Sequence, residues 1–82
     1  MLSLVLTLTA IPAYAAFNVD TLRQLVEAGR ADEAYSLAEP HVADYEGDPS
    51  FDFYYGMAAV DSGHVSRGVL ALERVLMANS TN

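Results

Sequence analysis

Four carboxylates crowd one short stretch, Asp44, Glu46, Asp48 and Asp52. Oxygen ligands of this kind suit calcium on a flexible loop. Gly47 and Pro49 depart from the calcium-loop pattern, however, and Asp48 followed by Pro49 reads as the capped start of a helix. His41 and His64 stand far apart along the chain, with no partnered spacing for a metal or a general base. They read as surface or turn residues. The chain has no cysteine, no Gly-x-Ser-x-Gly elbow and no phosphate loop. Asn79-Ser80-Thr81 matches a glycosylation acceptor, a match short enough for chance to explain. The expectation is therefore a protein that is not an enzyme and carries neither metal nor cofactor.

Charge narrows the partners. Eleven acidic residues against four arginines give a net charge of −7, and there is no lysine. Nucleic acid and anionic membrane surfaces both call for basic clusters, so neither is an expected partner. Eighty-two residues allow one small domain, stabilised by packing without disulfides.

The elements that would position any site are helical. Asn18 and Asp20 are helix caps ahead of Val19, Leu22, Leu25 and Val26, and Gly29 supplies the stop. A second helix is expected from about Asp32, with Ala34, Tyr35, Leu37, Ala38 and Val42 as its apolar residues. Pro40 falls inside it and predicts a kink, or an end near Glu39 followed by a restart. Asp48 and Pro49 open a third helix that carries Phe51 to Val60 and stops at Gly63. A fourth is expected from about Ser66 to Ala78. The interval from Gly29 to Gly63 is a 34-residue period, and the order of helix, stop, helix and break repeats around the two glycines. In that register Phe17 meets Phe51, Val26 meets Val60 and Glu39 meets Glu73.

Residues 1–15 differ from the rest. Met1 to Ile11 carries no charge, Pro12 breaks the run, and Ala13-Tyr14-Ala15 follows. This reads as a secretory signal cleaved after Ala15, and the run is too short to span a bilayer. No basic residue precedes the apolar core, which leaves a start inside a longer signal, or a buried helix, as alternatives.

The second half resembles the tetratricopeptide repeat (TPR) family. Gly56 stands where that family places a small residue midway along its first helix, and Gly68 where a small residue packs against it. Gly63 is the turn glycine, Leu72 the large residue of the second helix, and Val75-Leu76 the closing apolar pair. Ala34 and Gly29 match in the first half. Leu22 replaces the close-packing glycine there, so those helices are expected to cross at wider separation, and Ser80 stands where a proline is usual. The resemblance implies an all-α protein in which 16–48 and 49–82 are two TPR-like hairpins, forming part of a right-handed α-solenoid. Its packing residues would be Gly29, Ala34, Gly56, Gly63 and Gly68.

The family's first helices line a concave, peptide-holding groove. The resemblance therefore implies a groove made of Val19, Arg23, Val26 and Glu27 from the first hairpin. Phe53, Met57, Val60 and Asp61 would come from the second. Without lysine the groove lacks the cations that grip a peptide's C-terminal carboxylate, and Glu27 with Asp61 favours apolar or basic segments.

The expectation is a protein-interaction scaffold, exported to the periplasm or outer membrane, whose partner is a protein or peptide. Membrane attachment would come only through an uncleaved signal or a further domain. Exported relatives of this kind continue into more repeats, and some end in an outer-membrane barrel and assist secretion. The alternative is a self-assembly segment, because about three repeats are needed for stability. The exposed face of the last helix would then stack on further repeats or form a homodimer.

Overall fold

Asn18 begins the first helix by accepting the Thr21 backbone N–H on its side-chain oxygen, at 2.9 Å. In the computed structural model, which describes residues 16–80, that helix is α1 (Val19–Glu27). The signal-like segment 1–15 lies outside the described residues, as do Thr81 and Asn82. The chain continues through α2 (Ala31–Ala38), α3 (Val42–Tyr45), α4 (Pro49–Asp61) and α5 (Val65–Asn79). The described residues form helices and turns only, so the fold is all-α.

Pro40 explains why the expected second helix is divided. It has no N–H to offer the Ser36 carbonyl. The α-helix ends at Ala38, a 3-10 turn covers Glu39–His41, and α3 restarts at Val42. The other boundaries differ from the sequence expectation by one residue, with α2 opening at Ala31 and α5 running from Val65 to Asn79.

The repeat period is written into the backbone. Past α1, Ala28 donates to the Gln24 carbonyl, Gly29 to Val26 and Arg30 to Leu25. Past α4, Ser62 donates to Ala58, Gly63 to Val60 and His64 to Ala59, each bond one full period further along the chain. Both ends are Schellman stops, closed by glycines with φ of 78° and 94°. The next helix starts alike in both halves, at Arg30 (φ −102°, ψ 64°) and His64 (φ −96°, ψ 63°).

Helix α4 carries apolar residues on all sides, as a helix surrounded by others must. It packs against α1, α2 and α5. Its contact with α5 is close. Gly68 is buried, and a Cβ built on it would stand 2.5 Å from a γ-methyl of Val60 and 2.7 Å from the Gly56 carbonyl oxygen. In α1 the place of Gly56 is taken by Leu22, fully buried, as is Ala34.

The core joins the two hairpins. Leu22, Ala34, Tyr35, Ala38, Phe51, Tyr55, Ala58, Ala59 and Ala71 are buried together. Aromatic rings run through it in series. Phe17 meets Phe51 edge-on, Phe51 stacks on Tyr55, Tyr55 on Tyr35, and Tyr35 on His64 with centroids 3.9 Å apart.

Candidate interaction groove

Helices α1 and α4, the first helices of the two hairpins, share a surface depression lined by Val19, Asp20, Arg23, Ser50 and Tyr54. Val19 and Tyr54 are half-buried and rest against the core, which gives the depression an apolar floor. Ser50 offers a hydroxyl from the first turn of α4. Phe53 stands 42% exposed and edge-on to Tyr54, with centroids 5.0 Å apart.

One wall is an ion-pair chain along α1. Arg23 donates to Asp20 through Nη2 (2.6 Å) and Nε (3.0 Å), and to Glu27 through Nη1 (2.7 Å). Gln24 adds a bond to the other Asp20 oxygen at 2.8 Å. The Arg23 bonds, then that of Gln24, hold the Asp20 carboxyl below its usual range. Asp20 in turn raises the Arg23 guanidinium. One base is thus shared by two acids on one helix face, which stays net negative.

The remaining groove candidates fall in several places. Val26 is half-buried and packs on the core, and Met57 is half-buried in α4. Val60 directs a γ-methyl toward Gly68, which puts it in the α4–α5 crossing. Asp61 is exposed in the last turn of α4. Ser50 and Tyr54 were not among the sequence candidates. They share a helical stripe with Met57 and Asp61, at spacings of four, three and four residues. Phe53 lies at the edge of this stripe, about 70° around the helix axis from its centre.

The acidic stretch is used structurally. Asp48 caps α4, accepting the N–H groups of Ser50 (3.0 Å) and Phe51 (3.3 Å). Asp52 is 1% exposed and accepts the Gly47 N–H at 2.9 Å. Arg74 of α5 donates to it through Nε at 3.2 Å and Nη2 at 3.1 Å. This bonding raises the Arg74 guanidinium. Two of the four carboxylates are therefore committed to structure, Asp48 to the start of α4 and Asp52 to the α4–α5 contact.

A second long-range cluster crosses the seam between the hairpins. Arg67 Nη1 donates to the Tyr35 hydroxyl at 2.7 Å and to Glu39 Oε2 at 2.9 Å, and the Tyr55 hydroxyl donates to Glu39 Oε1 at 2.7 Å. Burial, then the Glu39 carboxylate, pushes the Tyr55 phenol well above its ordinary value. Local spacing gives no sign of these pairs, whose members lie 16 to 32 residues apart. His41 stacks on Phe17 with centroids 4.4 Å apart, and His64 caps the stack on Tyr35.

Comparison with protein-family models, with characterised proteins and with solved structures yields no match.

Proposed function

We propose that this chain is a helical-repeat interaction module of the tetratricopeptide type, holding an extended peptide segment in the depression between α1 and α4. The observation that carries this reading is the duplication, one repeat period apart, of the stop that ends the first helix of each hairpin. It brings two equivalent helices side by side with a shared depression. The close approach of Gly56 and Gly68, and the left-handed backbone of Gly29 and Gly63, support the same reading. In this reading the hairpins are successive units of a right-handed solenoid, and the role is binding without chemistry.

The ligand preference follows from the lining. Arg23 pairs with both Asp20 and Glu27, so the α1 wall keeps a net charge of about −1, which suits apolar or basic segments. Val19, Tyr54 and Phe53 provide apolar and aromatic contact, and Ser50 a hydrogen bond. Such a surface favours an extended peptide with an apolar or aromatic anchor. The signal-like segment 1–15 supports a place in the cell envelope, either periplasmic or at the outer membrane.

The test is selection of peptides from a random library on the immobilised full chain, then calorimetric titration of the winners. Tyr54→Ala and Phe53→Ala should each weaken binding about tenfold, as loss of an aromatic anchor does. Selected peptides whose affinity ignores both changes, and Met57→Ala as well, would sink the groove assignment.

A further inference from the structure

The four arginines of the chain are used in two ways. Arg23 and Arg30 pair with acids three or four residues away on their own helices. Arg67 and Arg74 reach across to other elements instead, and both line one cleft of about 200 Å³. They lie two turns apart on one face of α5, with Leu70 between them. The facing wall is Glu39, Val42 and Glu46, from the 3-10 turn, the start of α3 and its end, and the buried Tyr55 of α4 lies at the base. This cleft is not the peptide groove. Tyr55 stands about 130° around α4 from the centre of the stripe through Ser50 and Tyr54.

Both guanidiniums keep donors beyond those the fold uses. Arg67 makes its bonds to Tyr35 and Glu39 through Nη1 alone, so Nε and Nη2 remain. Arg74 turns Nε and Nη2 to Asp52, so Nη1 remains. Glu39 is fully engaged, with one oxygen on Arg67 and the other on the Tyr55 hydroxyl. Glu46 is not. It is exposed, lines the same cleft and pairs with no arginine among the described residues. Bonding to Asp52 is the main reason the Arg74 guanidinium is raised, and the Glu46 charge adds to it. Glu46 thus acts on Arg74 through space without an ion pair. Two arginines against Glu39, Glu46 and Asp52 leave the cleft net negative, on a chain of net charge −7. A small anion is repelled by that field. A cation finds Glu46 but leaves the guanidinium donors unmatched. A ligand with both charges and no net charge complements both walls.

We infer that the cleft between α3 and α5 binds a small zwitterion of the α-amino acid class. Its carboxylate takes the remaining N–H groups of Arg67 and Arg74, its ammonium meets Glu46, and a short apolar side chain rests on Val42 and Leu70. An α-amino acid carries its two charged groups on one carbon, which suits a guanidinium and a carboxylate that are near but not paired. An open cleft and a ligand of about nine heavy atoms set the affinity in about the millimolar range. The site is separate from the peptide groove and stands whether or not that groove binds.

The experiment is an NMR titration of the isotope-labelled full chain with L-leucine, followed through the backbone amides. Leucine should shift the amides of Glu46, Leu70 and Arg74 with a Kd of about 1 mM, and Glu46→Gln should weaken it about tenfold. That variant removes no side-chain bond of the fold, so its thermal midpoint should stay within about 2 °C. Isocaproate, which lacks the ammonium, and isoamylamine, which lacks the carboxylate, should each bind at least about tenfold more weakly than leucine. No shift at about 20 mM leucine would overturn the inference. So would equal binding of either single-charge analogue, or shifts confined to α1 and the Ser50–Tyr54 stripe, which would put the ligand in the peptide groove.

Discussion

The carbonyl oxygen of Gly56 lies in the space that a side chain at position 68 would need. A Cβ on Gly68 would stand 2.7 Å from that oxygen and 2.9 Å from the Val60 backbone nitrogen. Both are backbone atoms of a helix, which cannot turn aside as a side chain can. The Gly68 position therefore sets how closely α5 approaches α4.

Gly68→Ala should destabilise the protein although alanine favours helix by about 1 kcal/mol. Forcing the helices apart costs about 1–3 kcal/mol and also disturbs Val60. The net loss should be up to about 2 kcal/mol. Gly56→Ala should cost less, because its closest neighbours are Leu72 side-chain atoms, at 2.7 and 2.9 Å, and these can shift. Urea unfolding of the two variants checks the order, and an equal or larger loss at Gly56 would contradict it.

Arg74 is the partner that makes the burial of Asp52 tolerable. Removing one member of a buried pair leaves an uncompensated charge, a loss of about 3–5 kcal/mol when both are enclosed. The Arg74 side chain is 34% exposed and Asp52 keeps the Gly47 N–H, so water and backbone replace part of the pair. Arg74→Met should therefore cost about 2 kcal/mol. Combined with Asp52→Asn, its effect should shrink, giving a coupling above about 1 kcal/mol. Strictly additive losses in denaturant unfolding would show that the two residues act apart.

These two cases separate what could be read from the chain and what could not. The stops at Gly29 and Gly63, the caps at Asn18 and Asp48, and the break at Pro40 are local effects, each set by a residue and its near neighbours. They were legible for that reason. The pairing of Asp52 with Arg74, and of Glu39 with Arg67 and Tyr55, depends on how helices cross. No local spacing encodes it, and so Asp52 read as one more acid in a turn. The groove shows the same limit at finer scale. The repeat register selects Phe53 by matching it to Val19, but the stripe of α4 at the depression runs through Ser50 and Tyr54. Adjacent residues on a helix point about 100° apart, so which of them faces the depression depends on how each helix is rotated in the packing.

Tyr55 gives the protein an alkaline limit. Its phenol holds its proton above the ordinary tyrosine value of 10.0, because burial and the Glu39 carboxylate both oppose the phenolate. The folded state therefore binds this proton more tightly than the unfolded state does. Its contribution is fully present below pH 10.0 and is lost as the pH rises from there through the higher folded value. Stability measured by urea unfolding should fall above that pH. Tyr55→Phe should be less stable at neutral pH by about 1 kcal/mol, from the lost hydrogen bond to Glu39, but should show a flatter alkaline limb. Equal alkaline slopes in the two proteins would rule out this role.

Gly29 and Gly63 offer a direct measure of how equivalent the two hairpins are. Both hold a left-handed φ, and a Cβ built on either meets nothing within 4 Å. Alanine at each position would therefore suffer backbone strain alone, about 1–2 kcal/mol for an L-residue in that region. Because the stops are bonded identically, the two losses should agree to within about 0.5 kcal/mol and add in the double variant. Their kinetic signatures need not agree, since α4 is enclosed and α1 flanks the assembly. Equilibrium unfolding of Gly29→Ala, Gly63→Ala and the pair decides the matter. A much larger loss at Gly63 would mean that the second hairpin carries the fold, with the first docked on it as a weaker unit.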